Sequence, residues 1–351
     1  MNPSDYIGAP GDEAFQDAIA DPDADGASVL PVHAFDATGA AGERVDRFLA
    51  HRLPAVLPGV SRTRIQQWIG LGAVWCDTRP LTPSTRLFGH ERVQVQPLPR
   101  EADRAFEPDP VPLVIVHEDA DLMVIDKPAG LVMHPAAGNW RGTLLNGLLH
   151  HRPAQASLPR AGIVHRLDKD TSGLLVVARS ERALASLGAQ LADRTMSRRY
   201  LAVVRGVTAP QAQVDAPIGR DPQTRVRMAV VDGPAGRPAR TFVRRLAAFS
   251  VAGQQASLVE CRLETGRTHQ IRVHLRHLGH PLLGDALYGG PMAGIDRQAL
   301  HAWRLGLRHP ADGRLAHWTS VPPEDLRRLA AQADIDLVRL CGDLDRELAD
   351  G

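Results

Sequence analysis

Residues 162–178 constrain this chain more than any other stretch. A short apolar run, Gly162 to Val164, leads directly into His165, Arg166, Leu167 and Asp168. Lys169, Asp170 and a Thr171, Ser172, Gly173 turn follow, and Leu174 to Ala178 then resumes an apolar strand. A charged loop held between two core strands is stable only if its charges are paired, because a buried unpaired charge is strongly destabilising. For a lone Arg-x-Asp, a solvated structural loop would be the natural reading. Here the sequence offers partners elsewhere.

The segment Leu263 to Leu275 contains the first. Thr268 is placed to cap a helix on which Ile271, Leu275 and Leu278 face the core. Arg272 then lies at the flank of that face, within reach of an active-site carboxylate. Tyr200 begins a strand in the segment Ser197 to Val204, and Lys127 ends a strand before a Pro/Gly turn that runs to Pro135. His269, His274, His277 and His280 crowd one region. No acidic residue shares that helix and no H-E-x-x-H pattern occurs, so capping, packing and RNA contact are preferred and no metal is expected. Neither a P-loop nor a dinucleotide fingerprint is found, which argues against a nucleotide cofactor.

The first basic residue is Arg44, preceded by nine acidic ones from Asp5 to Glu43, so the near-neutral charge of +1 hides a basic remainder. Lys127 and Lys169 are the only lysines, and both fall inside these motifs. The three cysteines, Cys76, Cys261 and Cys341, form no C-x-x-C pair. With no apolar run of membrane length and no signal-peptide pattern, a cytoplasmic protein is expected. Residues 1–42 are read as an acidic, disordered extension, 100–112 as a proline-rich linker and 341–351 as a C-terminal tail. Between them lie two domains. Residues 43–99 show two helices, the second capped by Ser61 and ended by Gly70 and Gly72, and two short strands near Ala73–Cys76 and Arg92–Gln96. Arg62, Arg64, Gln66 and Gln67 project from the second helix, either as a solvated face or as a basic surface. Residues 113–340 mix strands and helices without a βαβ repeat. The fold class is therefore α+β, with a mixed, largely antiparallel sheet.

Taken in order, Lys127 to Gly130, Gly162 to Gly173, Arg198 to Tyr200, Leu263 to His274 and Gly279 to Gly290 resemble the RluA family of pseudouridine synthases. Residues 43–99 resemble the S4-like RNA-binding domain. The likeness runs from residue 43 to about 325, and the acidic extension and the Gly/Ala-rich stretch at 233–239 depart from it without touching the motifs. The resemblance implies a cofactor-free isomerase acting on RNA, namely 23S ribosomal RNA of the large subunit at its helix 69 stem-loop, and a monomer is expected. It makes Asp168 the catalytic carboxylate, Arg272 its partner and Tyr200 the residue that stacks on the base. Arg166 would enter the space that the flipped base leaves, with His165, Lys127 and Thr171 as further base-flipping or substrate-binding residues. Arg62 and Arg64 would contact RNA. Whether Asp168 attacks the sugar or the ring stays open.

Other classes remain to be weighed. The same chemistry on tRNA is one alternative, and a non-catalytic ribosome-assembly factor is another, although a pure binder gains nothing from a buried Asp168. A glycosidase would need a second acid/base carboxylate, for which Asp170 is poorly placed.

Overall fold

The computed structural model describes residues 31–76, 79–98, 104–136, 138–224, 226–290 and 294–350. Most of the expected acidic extension, residues 1–30, lies outside the described residues, as do 77–78 of the expected turn and 100–103 of the expected linker. The chain divides into two compact units, with the break between Arg104 and Ala105.

In the small unit, β1 (His33–Asp36), α1 (Val45–Arg52), α2 (Arg62–Gly70), β2 (Val74–Cys76) and β3 (Arg92–Val95) follow in order. The strands form an antiparallel sheet in the order β1-β3-β2. The helices bury Val45, Phe48 and Leu49 of α1 and Ile65, Trp68 and Ile69 of α2 in one core with Val93 and Val95 of β3. Ser61 caps α2 by accepting from the Arg64 N–H, as its residue type predicts. Two expectations need correction. The expected disordered extension to residue 42 ends sooner, because β1 pairs with β3 over His33–Asp36. Arg62 and Arg64 are also not simply outward-facing. Arg62 Nη2 lies 2.9 Å from the buried carboxylate of Asp46, which further accepts from Arg44 and Gln66. Arg64 donates to the Leu98 carbonyl at 2.7 Å and stacks over Trp68. The buried carboxylate draws Arg62 and Gln66 inward and the Leu98 carbonyl holds Arg64, so most of this helix face is tied to the unit itself.

The large unit contains β4 (Ile115–Glu118), β5 (Leu122–Lys127), α3 (Leu144–His151), β6 (Ser172–Ala178), α4 (Glu181–Ala192), β7 (Ser197–Arg205), β8 (Gln211–Asp215), β9 (Ile218–Arg220) and β10 (Met228–Val230). It continues with β11 (Arg240–Val251), β12 (Gln254–Leu263), α5 (Gln270–His277), β13 (Leu300–Arg308), β14 (Leu315–Thr319), α6 (Glu324–Ala331) and α7 (Leu337–Asp350). Among the described residues, nine strands form one sheet along the path β4-β5-β6-β13-β7-β12-β11-β8, with β14 beside β13. Its ladders are antiparallel except for β13 with β6. This is the mixed, largely antiparallel sheet expected of an α+β domain.

Both faces of the sheet are covered. Met123, Ile125, Leu175 and Val177 point to one core with Leu145 and Leu148 of α3 and Ile271 and Leu275 of α5. Leu122, Val124, Leu174 and Val176 point the other way, against Ala183 and Leu187 of α4. Burial on both sides explains why β5 and β6 read as continuous apolar runs. The parallel pair also includes a close approach. Gly173, at φ +111, sits so close to β13 that a Cβ there would lie 2.2 Å from the Ala302 carbonyl oxygen. Only glycine permits that contact.

Two expected non-domain segments are in fact packed. Ala105 is buried, and the Asn146 side chain donates to the carbonyls of Ala105 and Glu107 at 2.8 Å, so the second half of the expected linker is fixed. The expected C-terminal tail is the end of α7, where Cys341 and Leu344 are buried with Trp303 and Leu201. No described helix is long and apolar enough to cross a membrane.

Docking of α7 gives a direct test. Leu344→Ala should lower the unfolding free energy by about 2–4 kcal/mol, the range for emptying a buried leucine site. Urea denaturation measures this, and a change within about 0.5 kcal/mol, as for an exposed residue, would refute the packed helix.

Candidate active site

Asp168 lies in the loop that leads into β6, and that loop is fastened from beneath. The ammonium of Lys127, at the end of β5, donates to the carbonyls of Pro128 at 2.9 Å, Leu131 at 3.0 Å and Lys169 at 2.9 Å. Three acceptors match the three protons of an ammonium group. Burial pushes the Lys127 pKa down to about 7, with the charges of Asp168 and Asp170 offsetting part of that effect and Arg297 adding to it. The carbonyls act the other way, since a neutral amine would leave one of them without a donor. On the far side of the loop, the Arg297 Nη1 donates to the Asp170 carbonyl at 3.0 Å. Arg297 is itself held by both oxygens of Asp325, at 2.5 and 2.9 Å.

His165 is another support. Its Nε2 accepts from the Val176 N–H at 3.0 Å. Burial, and then the charge of Arg198, lowers its pKa to about 3, so the ring is neutral. Thr171 is buried at the floor of the cleft, with its Oγ1 accepting from the Gln298 amide at 3.3 Å. Lys127 and His165, both expected among the substrate-binding residues, are placed in the framework of the loop. Their partners are main-chain groups and both are buried, although His165 also borders the groove that Arg166 lines.

The carboxylate of Asp168 meets α5. Arg272 Nη1 donates to Asp168 Oδ2 at 3.1 Å. The same guanidinium makes a bidentate pair with Asp285, through Nε at 2.7 Å and Nη2 at 2.9 Å. The Asp168 side chain keeps 14% of its surface exposed while Asp285 keeps 1%, so only Asp168 can reach a ligand. Burial works against the Arg272 charge, but the hydrogen bonds and charges of Asp285 and Asp168 outweigh it and move the pKa up. Behind the guanidinium stands Tyr288, its ring 4.9 Å from the Arg272 carbon.

Arg166, Asp168, Tyr200, His269, Ile271 and Arg272 line one cleft. Tyr200 is buried on its wall, and burial raises its pKa against the opposing charge of Arg198, with Asp168 adding a lesser push upward, so the phenol stays neutral. Arg166 is half-buried at the rim and also lines an adjoining groove of 290 Å³, together with Arg160, Arg194, Arg198, Glu264 and Arg267. Asp168, Tyr200, Arg166 and Arg272 are therefore brought together. Arg62 and Arg64 belong to the other unit and are not part of this cleft.

The start of α5 differs from expectation. His269, not Thr268, occupies the cap position, at φ +55, and no side chain caps it by the usual bond. Gln270 instead ties the turn before the helix to β11, with Oε1 accepting from the Arg267 N–H at 2.9 Å and Nε2 donating to the Arg240 carbonyl at 3.0 Å. Three of the crowded histidines turn to separate partners. His269 Nδ1 faces the Tyr288 hydroxyl, His274 lies between Thr241 and Ala216, and His280 faces the Arg205 carbonyl. Asp285 and Tyr288 carry no assigned role in the sequence reading. The Gly279–Gly290 segment contains them, but a loop residue that holds an arginine from behind leaves no periodic trace.

The sequence profile of the family described as RNA pseudouridylate synthase matches residues 121–277. The chain is 45% identical over 321 residues to a ribosomal large subunit pseudouridine synthase D of Neisseria meningitidis serogroup A, covering 88% of this chain and 82% of that protein. It is also 45% identical over 314 residues to the protein of that name from Xanthomonas campestris, covering 86% and 92%. The solved structure of human RNA pseudouridylate synthase domain containing 1 aligns with a TM-score of 0.51 and 29% identity, over 64% of this chain and 88% of that one.

The neutral His165 has a consequence for stability. Its folded pKa of about 3 lies below the ordinary 6.5, so the unfolded chain binds a proton that the folded chain does not. The associated stability is complete above pH 6.5 and is lost as pH falls toward 3, about 2 kcal/mol of it between pH 7 and pH 5. His165→Gln retains an acceptor for the Val176 N–H but has no titrating group. Urea denaturation at the two pH values should show a pH-dependent loss smaller by about that amount in the variant. Equal losses in both proteins would mean that His165 does not titrate in this way.

Proposed function

This chain belongs to the RNA pseudouridylate synthase family, and on that premise we propose that it isomerises uridines of 23S ribosomal RNA in the helix 69 stem-loop, with Asp168 as the nucleophile. The reaction breaks the bond between the uracil ring nitrogen and the anomeric carbon. The freed base rotates and rejoins through carbon 5, which gives up a proton while the ring nitrogen gains one. Nothing is oxidised and no group is carried away. Relatives named for the ribosomal large subunit support that RNA as the substrate.

The observation that carries the assignment is the Asp168–Arg272–Asp285 arrangement. A guanidinium clamped at two of its nitrogens offers a third to a carboxylate that faces the cleft. Asp168 is thereby oriented without reorganisation at the moment of reaction. Tyr200, as a neutral phenol on the wall, suits stacking on uracil and hydrogen bonding at its edge. A uridine inside a stem must leave its stack to enter, which costs a few kcal/mol. In this reading Arg166, at the rim, fills the space it leaves, and Thr171 at the cleft floor borders the base. The small unit acts as an S4-like RNA-binding domain. Arg62, about half exposed while it holds Asp46, presents its outer edge to the phosphates. The protein works as a cytoplasmic monomer.

Asp168→Asn keeps an oxygen for Arg272 but removes the nucleophile, so turnover should fall by at least about 10³-fold with an unchanged melting temperature. A well-folded variant retaining a tenth of wild-type turnover would overturn the role of Asp168. Asp285→Asn loosens Arg272 instead, and single-turnover rates should drop by about 10²-fold while RNA affinity holds. Pseudouridine mapping in cells lacking this protein checks the substrate: loss confined to tRNA would replace ribosomal RNA as the target.

A further inference from the structure

The ends of β5 and β13 remote from the Asp168 loop hold a second cluster of chemistry-bearing side chains. His117 comes from β4, Asp119 from the turn between β4 and β5, and His309 from the residue after β13. Both imidazoles direct Nε2 at one carboxylate oxygen: His117 Nε2 and His309 Nε2 each lie 2.9 Å from Asp119 Oδ2. All three donor atoms fall within 4.8 Å of one another. The carboxylate is held in this pose from behind, because Asp119 Oδ1 accepts from the N–H groups of Asp121 at 2.8 Å and Leu122 at 3.0 Å. A further carboxylate, Asp312, lies 3.8 Å from Nδ1 of the buried His309.

We propose that His117, Asp119 and His309 bind a divalent transition-metal ion of the zinc class, with water completing a tetrahedral shell. Two imidazole nitrogens and one carboxylate oxygen suit zinc, nickel or copper, whereas magnesium and calcium favour all-oxygen shells. Without the ion, each imidazole donates its Nε2 proton to Asp119. Binding requires each ring to take the other neutral form, with the proton moved through water from Nε2 to Nδ1 and no net change in proton number. The Nδ1 proton of His309 then faces Asp312, the carboxylate–histidine–metal arrangement that fixes a ligand's orientation. That form gives up the bond from the Ala311 N–H to His309 Nδ1, now 3.2 Å, which keeps the affinity moderate. The bound ion would join the β4–β5 hairpin to the turn between β13 and β14, which lie two strands apart in the sheet.

The test uses full-length protein freed of metal by a chelator. Calorimetric titration with zinc chloride should show one ion per chain, with a Kd of about 10 µM or tighter. Cobalt(II) should give visible absorption bands of tetrahedral intensity, and zinc should raise the melting temperature. His117→Gln and His309→Gln should each weaken binding at least about tenfold and remove the cobalt bands, with pseudouridine formation unchanged. If the buried His309 variant fails to fold, half-exposed His117 decides together with Asp312→Asn, which should weaken binding while leaving the three ligands in place. No heat and no shift in melting temperature at about 100 µM zinc would overturn the proposal. So would binding undiminished by His117→Gln, which would leave the cluster a purely hydrogen-bonded one.

Discussion

The guanidinium of Arg272 serves two carboxylates at once, and the rest of the catalytic unit is arranged to make that possible. A buried arginine with one carboxylate is a compensated charge; with two it becomes a rigid joint. Removing one partner of such a buried pair typically destabilises by about 3–5 kcal/mol, so the joint is a structural requirement as well as a chemical one. It fixes α5 by its first turn to the loop after it, since Asp285 also accepts from the Tyr288 N–H at 3.3 Å. It leaves Asp168 as the one carboxylate of the pair that solvent and ligand can reach.

The sheet supplies the other half of the geometry. Asp168 is carried by a loop between elements that are buried on both faces, so it cannot shift without disturbing β5, β6 and β13 together. Lys127 ties that loop to the end of β5, Arg297 ties it to the approach to β13, and Gly173 allows β6 to lie against β13 with no side chain between them. Close packing transmits small displacements, so a site built this way is stiff by construction.

Much of this arrangement is visible in the sequence. Asp168 and Arg272 stand out in their motifs, before an apolar strand and at a helix flank, whereas Tyr200, expected to begin a strand, is the fourth residue of β7. The supporting contacts of Lys127 and His165 are not legible, because a buried strut and a substrate contact use the same residue types. What separates them is a set of main-chain partners, Pro128, Leu131, Lys169 and Val176, that no residue code records. β13 is hard to see for a related reason. It is central, covered on both faces and interrupted by His301 and Arg304, so neither alternation nor a clean apolar run marks it. The helical signal of α7 is present in the spacing of Leu337, Leu340, Cys341, Leu344 and Leu348, but the acidic residues among them disguise it as a tail.

The cleft and its neighbouring groove share arginines. Arg166, Arg198 and Arg267 line both, beside the Asp168–Arg272 pair in the cleft and beside Arg160, Arg194 and Glu264 in the groove. A polyanion is therefore drawn along one continuous positive lining toward the paired carboxylate of Asp168. Mobile ions screen exposed charges across a Debye length of about 8–10 Å but reach a buried pair far less. Ionic strength accordingly governs how firmly the nucleic acid is held, while the Asp168–Arg272 pair, largely out of water, feels the dissolved ions far less.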